Sequence, residues 1–120
     1  MKPGPERRFV DLLSDIVDWG ERVRAIIEDR TYEAFAQDQL CHLAVWKCIE
    51  VLGEASATIL KLEPDYAARY PGLPLRQAYA MRNHLTHGYG SVDLSILWTT
   101  ATKFVPPMVE EAKAVLAAHA

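Results

Sequence analysis

Residues that could act together on a phosphate ester cluster between positions 82 and 89: Arg82, Asn83, His84, His87 and Tyr89. Arg82 carries a permanently charged guanidinium, and His87 carries an imidazole that titrates near neutral pH. Cleavage of an RNA phosphodiester without a metal ion needs a base that takes the ribose 2′-hydroxyl proton and a fixed cation that holds the growing negative charge. His87 and Arg82 have the chemistry of these two parts.

The spacing of Arg82 and His87 limits how they can meet. Five residues at about 100° each place the two side chains about 140° apart on a regular helix. One straight helix therefore does not aim both at the same phosphate. Either the helix loosens before Gly88, or a second subunit completes the site.

Structural roles remain open for the same residues. Arg82 can pair with Glu50 or Glu54, which lie four residues apart and share a helix face. His87 can be a helix C-terminal residue that the helix dipole favours, and Tyr89 can be a packing residue. We expect an ion pair between one of the two glutamates and an arginine, and no metal at that pair of carboxylates.

Composition restricts the class of protein. The 120 residues are 50% hydrophobic, enough for one compact domain spanning 1–120 and too few for a multidomain enzyme. With 13 basic and 16 acidic residues, the net charge of −3 excludes binding to nucleic acid by bulk electrostatics alone. No apolar run approaches the roughly 20 residues of a membrane span, and no signal peptide is recognisable. We expect a cytoplasmic protein without membrane contact.

One segment of this acidic chain is positive. The 27 residues from 66 to 92 contain no acid, and they include Arg69, Arg76, Arg82, His84 and His87. Any contact with RNA or DNA is expected to be local and to lie there, and Arg76 and His84 are weaker candidates for substrate binding. Lys47 and Lys103 could extend a basic rim if their helices border this segment.

The two cysteines predict neither a disulfide nor a zinc site. Cys41 and Cys48 lie seven residues apart in a helical pattern, about 10 Å at 1.5 Å per residue, which is too far for a disulfide. No second pair of ligands with zinc-finger spacing follows His42. We therefore expect buried free thiols and no metal.

Apolar spacing and helix-breaking residues predict an all-α fold. The expected helices cover about 6–30, 32–37 capped by Thr31, 38–61, 64–68, 75–86, and a last one from Ser91 as cap to the chain end. Residues 70–74 form a turn, and Pro106 and Pro107 kink or break the last helix near Phe104. No segment shows strand periodicity, so the prediction is an antiparallel bundle of four main helices with short extra helices.

Other single residues carry structural expectations. Gly53 in mid-helix indicates close helix approach, because glycine there costs about 1 kcal/mol of helix propensity. Trp46 and Trp98 are expected as core or dimer-interface anchors rather than base-stacking platforms. His119 is expected in a frayed tail, and His42 on a face open to solvent or a partner.

The order of several short segments resembles the HepT-like toxins of the HEPN superfamily, which belong to type VII toxin–antitoxin systems. The segments are Gly53-Glu54-Ala55, Tyr70-Pro71-Gly72-Leu73-Pro74, Met81-Arg82-Asn83, His87-Gly88-Tyr89, Val92-Asp93 and Trp98. The likeness extends over about residues 9 to 115. Two features depart from the usual pattern: Leu75 stands where the family commonly has tryptophan, and His84 adds a second imidazole.

The resemblance implies a HEPN-like bundle and a metal-independent endoribonuclease that works as a homodimer without a cofactor. By the motif, Arg82 would stabilise the phosphate transition state, Asn83 would orient or support it, and His87 would be the base. Cleavage would leave a 2′,3′-cyclic phosphate and a 5′-hydroxyl. The partner would be an MntA-type nucleotidyltransferase antitoxin, which would transfer AMP from ATP to Tyr89.

Two other functions remain possible on the sequence alone. The first is a non-catalytic HEPN module that binds a nucleotide or serves as partner subunit of a minimal nucleotidyltransferase. The second is a purely structural helical dimer. Replacing His87 separates the nuclease from the binding module, because a base is needed for cleavage and not for phosphate binding. Replacing Arg82 would change only stability in the structural dimer.

Overall fold

Helices account for all regular structure in residues 4–62, 64–88 and 93–119, which the computed structural model describes. Only the backbone is described at residues 5, 66, 67 and 86–88. The elements are α1 (Pro5–Ile27), α2 (Tyr32–Gln37), α3 (Gln39–Leu62), α4 (Pro64–Arg69), α5 (Leu75–Gly88), α6 (Leu94–Thr99), a π-helical turn (Thr100–Phe104) and α7 (Val105–Ala118). The predicted all-α helical bundle is confirmed.

Side chains before three of the helices explain where those helices begin. Thr31 accepts the N–H of Ala34 at 3.1 Å through its hydroxyl oxygen, as predicted. Asp93 is the N-cap of α6, and its carboxylate accepts the N–H of Ser95 at 2.8 Å. The expectation that Ser91 caps the last helix is wrong, since α6 starts at Leu94 and Ser91 lies outside the described residues. Asp38 accepts the N–H of Cys41 at 3.1 Å and opens α3.

The first helix ends earlier than predicted. It stops at Ile27 instead of about residue 30. Asp29 has a φ of 60°, in the left-handed region, where aspartate is tolerated better than most side chains. This turn redirects the chain into α2.

The predicted irregularity near Phe104 takes the form of a π-helical turn over Thr100–Phe104. Pro106 and Pro107 follow directly in the first turn of α7. Proline has no N–H to donate, so the hydrogen-bond pattern of an α-helix cannot pass through these two positions unchanged. The wider turn lets the chain continue with a changed hydrogen-bond pattern rather than a break.

One apolar core joins the long helices. Its fully buried members with the largest side chains are Phe9, Leu13, Ile16, Val23, Phe35, Val45, Ile59, Leu75, Leu85, Leu97, Val105 and Met108. Leu75, at the start of α5, is among them. Cys41 and Cys48 are free and buried, as predicted, and burial raises the pKa of both thiols.

His119 is not frayed, contrary to the expectation. Its ring packs on Phe9 and Tyr70, with ring centroids 5.5 and 5.7 Å away. One ring nitrogen lies 2.9 Å from the carbonyl of Val115, and the other lies 3.1 Å from the carboxylate of Glu6. Sequence position alone predicted a loose end, but aromatic packing holds this residue.

None of the described helices combines the length and the apolarity that crossing a bilayer requires.

Candidate functional site

Gly53 sets the distance between α3 and α5 at the position of Arg82. A methyl group added to Gly53 would overlap the Cβ of Arg82 and would lie 2.8 Å from the carbonyl oxygen of Ala78. Only a hydrogen atom fits between the two helices there. The predicted close helix approach is confirmed, and its partner is the turn of α5 that carries the arginine.

Two neighbours hold the guanidinium of Arg82. Its Nη1 donates to the Oδ1 of Asn83 at 2.9 Å, and its Nη2 lies 2.9 Å from the Oε2 of Glu54. The Arg82 side chain is 28% exposed, whereas the Glu54 side chain is 58% exposed. The expected pairing of an arginine with one of the two glutamates is confirmed for Glu54. Glu50 instead accepts from the ammonium of Lys47 at 2.8 Å.

Part of the guanidinium is enclosed. The Nε of Arg82 is buried and has no hydrogen-bond partner among the described residues. A buried donor without an acceptor costs free energy. The packing of the stem and the two Nη contacts must offset this cost, and they hold the side chain in this orientation. The remaining Nη hydrogens are therefore the part of Arg82 that can reach a ligand.

Arg82 lines an open groove of about 360 Å³ together with residues of α1 and α3. The other lining residues are Leu12, Asp15, Lys47, Glu50, Val51, Glu54, Ala55 and Thr58. Three carboxylates face two cations here, so the groove lining is net acidic. Lys47 lines the groove beside α5, the helix that carries the motif, so it meets the condition for extending a basic rim. Its charge, however, is paired with Glu50. Lys103 lines a different groove, beside Gly72 and Pro74.

Trp46 supports the end of α5. Its indole Nε1 donates to the carbonyl oxygen of Leu85 at 3.4 Å. Leu85 is among the last four residues of α5, whose carbonyls have no partner within the helix. The indole thus anchors the turn in which His87 lies. Trp98 packs on Phe35 with ring centroids 5.1 Å apart, which agrees with its expected role as a core anchor.

The helix that carries the motif, α5, is regular. α5 is continuous from Leu75 to Gly88, so the alternative in which the helix loosens before Gly88 is wrong. The backbone of His87 lies in the last turn, about 140° around the helix from Arg82. Its side chain is not described, and Tyr89 lies outside the described residues. Within one chain, the regular helix separates Arg82 from His87.

Arg76 and His84 are both exposed on α5. Two residues correspond to about 200° of rotation, so His84 projects from the side of the helix opposite to Arg82. Six residues place Arg76 about 120° from Arg82 and about 1.7 turns closer to the helix start. Neither residue shares the helix face of Arg82. Among the described residues, no three His, Cys, Asp or Glu side chains are grouped so that they could hold a metal ion.

Sequence reasoning missed two features of the site. The place of Asp15 in the groove depends on how α1 packs against α3, and no local pattern signals it. The hydrogen bond from Trp46 to Leu85 joins positions 39 residues apart in the chain. A tryptophan on the inner face of a helix indicates packing, but it does not name its acceptor.

Comparison with known proteins settles the family. The family model for HepT-like proteins, described as "Ribonuclease HepT-like", matches residues 17–115. The chain belongs to the HepT-like family. Alignments with three relatives cover most of each relative and most of this chain. "Putative RNase MJ0125" of Methanocaldococcus jannaschii is 30% identical over 93% of this chain and 94% of its own.

The second relative, "Putative RNase MJ1216" of the same organism, is also 30% identical, over 93% of this chain and 90% of its own. "Probable ribonuclease HepT" of Thermococcus cleftensis is 31% identical over 86% of this chain and 91% of its own. No solved structure matches the chain. The matched region of this HepT-like protein includes α3, α5 and the motif at residues 82–89.

Proposed function

We propose that this HepT-like protein is an endoribonuclease toxin of a type VII toxin–antitoxin system. In this proposal the chain is one HEPN domain over residues 1–120, acts in the cytoplasm and cleaves RNA without a metal ion or cofactor. The observation that carries the proposal is the position of Arg82 on α5: Asn83 and Glu54 hold its guanidinium, and its side chain is 28% exposed. The ribonuclease names of its relatives support the same activity.

In the proposed reaction, His87 takes the proton from a ribose 2′-hydroxyl. The 2′-oxygen then attacks the adjacent phosphorus, and Arg82 stabilises the negative charge that develops on the phosphate oxygens. The P–O5′ bond breaks, the 5′-oxygen takes a proton from solvent, and His87 later returns its proton to solvent, which leaves a 2′,3′-cyclic phosphate and a 5′-hydroxyl. No water is consumed in this step. Asn83 keeps the guanidinium in place, which its hydrogen bond to Nη1 supports.

We propose that the working unit is a homodimer in which Arg82 of one subunit acts with His87 of the other. The regular course of α5 supports this arrangement, because the two residues lie on different faces of one helix. A two-fold axis beside the C-terminal half of α5 would bring each arginine towards the partner's histidine. Light scattering of the purified protein should give the mass of two chains. The mass of one chain at assay concentration would refute the shared site.

The proposed antitoxin is an MntA-type nucleotidyltransferase that modifies Tyr89. The phenol oxygen would attack the α-phosphorus of ATP, pyrophosphate would leave, and the phenol would lose its proton. The AMP group would add bulk and negative charge two residues from the base and compete for the guanidinium. Incubation with ATP and the antitoxin should add one AMP per chain to the intact mass. The same shift in Tyr89→Phe would contradict the assignment.

Purified protein and a synthetic RNA in the presence of EDTA provide the test of cleavage. The wild type should cut the RNA and leave 2′,3′-cyclic phosphate ends. His87→Ala and Arg82→Ala should each reduce the rate by about 10²-fold or more, the usual contribution of a general base or a charge-stabilising group. Arg76→Ala is a matched control on the same helix, and it should raise KM without lowering kcat.

Two results would overturn the proposal. One is a folded wild type that leaves RNA intact, and the other is His87→Ala cutting as fast as the wild type. If the wild type does not cut but binds a nucleotide, and Arg82→Ala loses this binding, the non-catalytic HEPN module replaces the nuclease. Arg76 and His84 would then be tested as further phosphate contacts.

A further inference from the structure

We propose that Glu54 is a positioning residue for the reaction, because it fixes the orientation of the Arg82 guanidinium for the RNA phosphate. This inference rests on the proposed nuclease function. Glu54 does not itself touch the substrate in this proposal. It acts through its ion pair with Nη2, while Asn83 holds Nη1.

The donor count of arginine shows that Glu54 can remain in place while phosphate binds. A guanidinium has five N–H donors. One is directed to Asn83, one to Glu54, and the Nε donor is buried. Two Nη donors remain, which is the number that a bidentate contact with phosphate uses. A phosphate therefore need not displace the carboxylate.

The charge of the groove indicates the side from which phosphate approaches. Glu54 lies in the groove with Asp15 and Glu50, where carboxylates outnumber cations. A phosphate is repelled from that side and favoured on the part of the guanidinium that faces away from it. Glu54 thus occupies the side of Arg82 that the RNA does not use.

The backbone around Glu54 is held firmly enough for such a role. Glu54 follows Gly53, where α3 packs against the stem of Arg82 on α5 so closely that no Cβ fits. Its neighbour Ala55 is buried on the same helix. The stem of the arginine is therefore fixed by Gly53, and its head by Glu54 and Asn83. Positioning of this kind matters because a misplacement of about 1 Å can slow an enzyme by about 10²-fold.

The test compares Glu54→Ala, Glu54→Gln and the matched control Glu50→Ala, which removes a carboxylate from the same helix face and groove but does not touch Arg82. Glu54→Ala should lower kcat by about 10-fold or more and leave KM within about 3-fold, because the guanidinium loses orientation rather than charge. Glu54→Gln keeps an acceptor oxygen and should retain most of kcat. Glu50→Ala should keep the wild-type kcat, because Arg82 retains its contacts with Asn83 and Glu54.

A second readout does not depend on cleavage. The Nε proton of Arg82 is buried in this arrangement, so its exchange with solvent, measured by NMR, should be slow in the wild type and in Glu54→Gln. It should become fast in Glu54→Ala. Melting temperatures of all variants establish that each is folded at the assay temperature.

Glu54→Ala with the wild-type kcat overturns the inference. So does a fall in KM in both Glu54 variants, which would mean that the carboxylate competes with phosphate instead of positioning the arginine. Arg82→Ala is run beside them and separates this inference from the proposed function. If Arg82→Ala is inactive and Glu54→Ala is fully active, only the role of Glu54 fails. If Arg82→Ala cuts RNA normally, the proposed function itself fails.

Discussion

Replacing Gly53 by alanine perturbs both the packing of the bundle and the position of Arg82. The new methyl group would overlap the Cβ of Arg82 and come within 2.8 Å of the Ala78 carbonyl oxygen. Neither neighbour is the free end of a flexible side chain. α3 and α5 must therefore move apart, and the arginine moves with α5.

The expected magnitude combines two opposing effects. Alanine stabilises a helix interior over glycine by about 1 kcal/mol. Forcing an extra methyl group into a closely packed interface costs about 1–3 kcal/mol, and contact with backbone atoms favours the upper part of this range. The net loss of unfolding free energy is then about 1–2 kcal/mol. For a domain of this size that corresponds to a Tm lower by about 4–8 °C.

The assay pairs urea unfolding with RNA cleavage at a temperature where the variants are folded. Gly53→Ala should cut RNA about 10²-fold more slowly, since Arg82 is displaced by a large fraction of an ångström or more. Gly20→Ala is the matched control. A methyl group there would overlap a terminal methyl of Val109, at the contact of α1 with α7, and does not involve Arg82. It should lower stability while leaving the cleavage rate of the folded protein unchanged.

Two outcomes would refute this reasoning. If Gly53→Ala is as stable as the wild type, the helices are not held in the close contact described. If it is destabilised as expected but cuts RNA at the wild-type rate, the spacing of α3 and α5 does not determine the activity that we propose for Arg82.

Three further predictions concern other parts of the fold. Cys41 and Cys48 should resist iodoacetamide at pH 7 in the folded protein and react after unfolding in urea, because burial raises their pKa; rapid labelling of the native protein would contradict their burial. The Ser95 hydroxyl and amide lower the pKa of Asp93, so its cap stabilises the fold above the ordinary carboxyl pKa of 3.8 and is lost as pH falls through the lower folded value. Urea unfolding of Asp93→Ala should thus show a deficit in unfolding free energy at pH 7 that shrinks as the pH falls below the ordinary carboxyl pKa; a deficit that does not change with pH would contradict the cap. Trp46→Phe should cost about 1 kcal/mol and speed amide exchange in the last turn of α5, and unchanged exchange would mean that the bond to Leu85 does not hold that turn.

The helices were predicted well because capping and helix-breaking residues mark their ends in the sequence. Thr31, Pro64 and the turn at 70–74 mark helix boundaries within a residue or two of where they lie. The predictions failed where the local structure depends on contacts with residues far away in the chain. His119 was expected to fray, but Phe9 and Tyr70 hold its ring, and these contacts join residues far apart in the chain.

The candidate site was predictable in its parts and not in its geometry. The motif indicated a functional arginine, the mid-helix Gly53 indicated a close helix contact, and the spacing of Glu50 and Glu54 indicated an ion pair. That Gly53 makes its close contact at Arg82 was not predicted. Periodicity does not say which of the two glutamates meets Arg82, because both lie on one face of α3. That choice depends on the register between α3 and α5, which packing sets.

A complementation experiment tests the central claim most directly. Arg82→Ala and His87→Ala chains are each purified and assayed alone, then mixed in equal amounts under conditions of subunit exchange. A site built from Arg82 of one subunit and His87 of the other predicts that each variant is inactive alone. Half of the dimers in the mixture are mixed, and each has one of its two sites intact, so about a quarter of the wild-type cleavage should return. A mixture that stays inactive while the wild type cuts RNA would contradict the shared site.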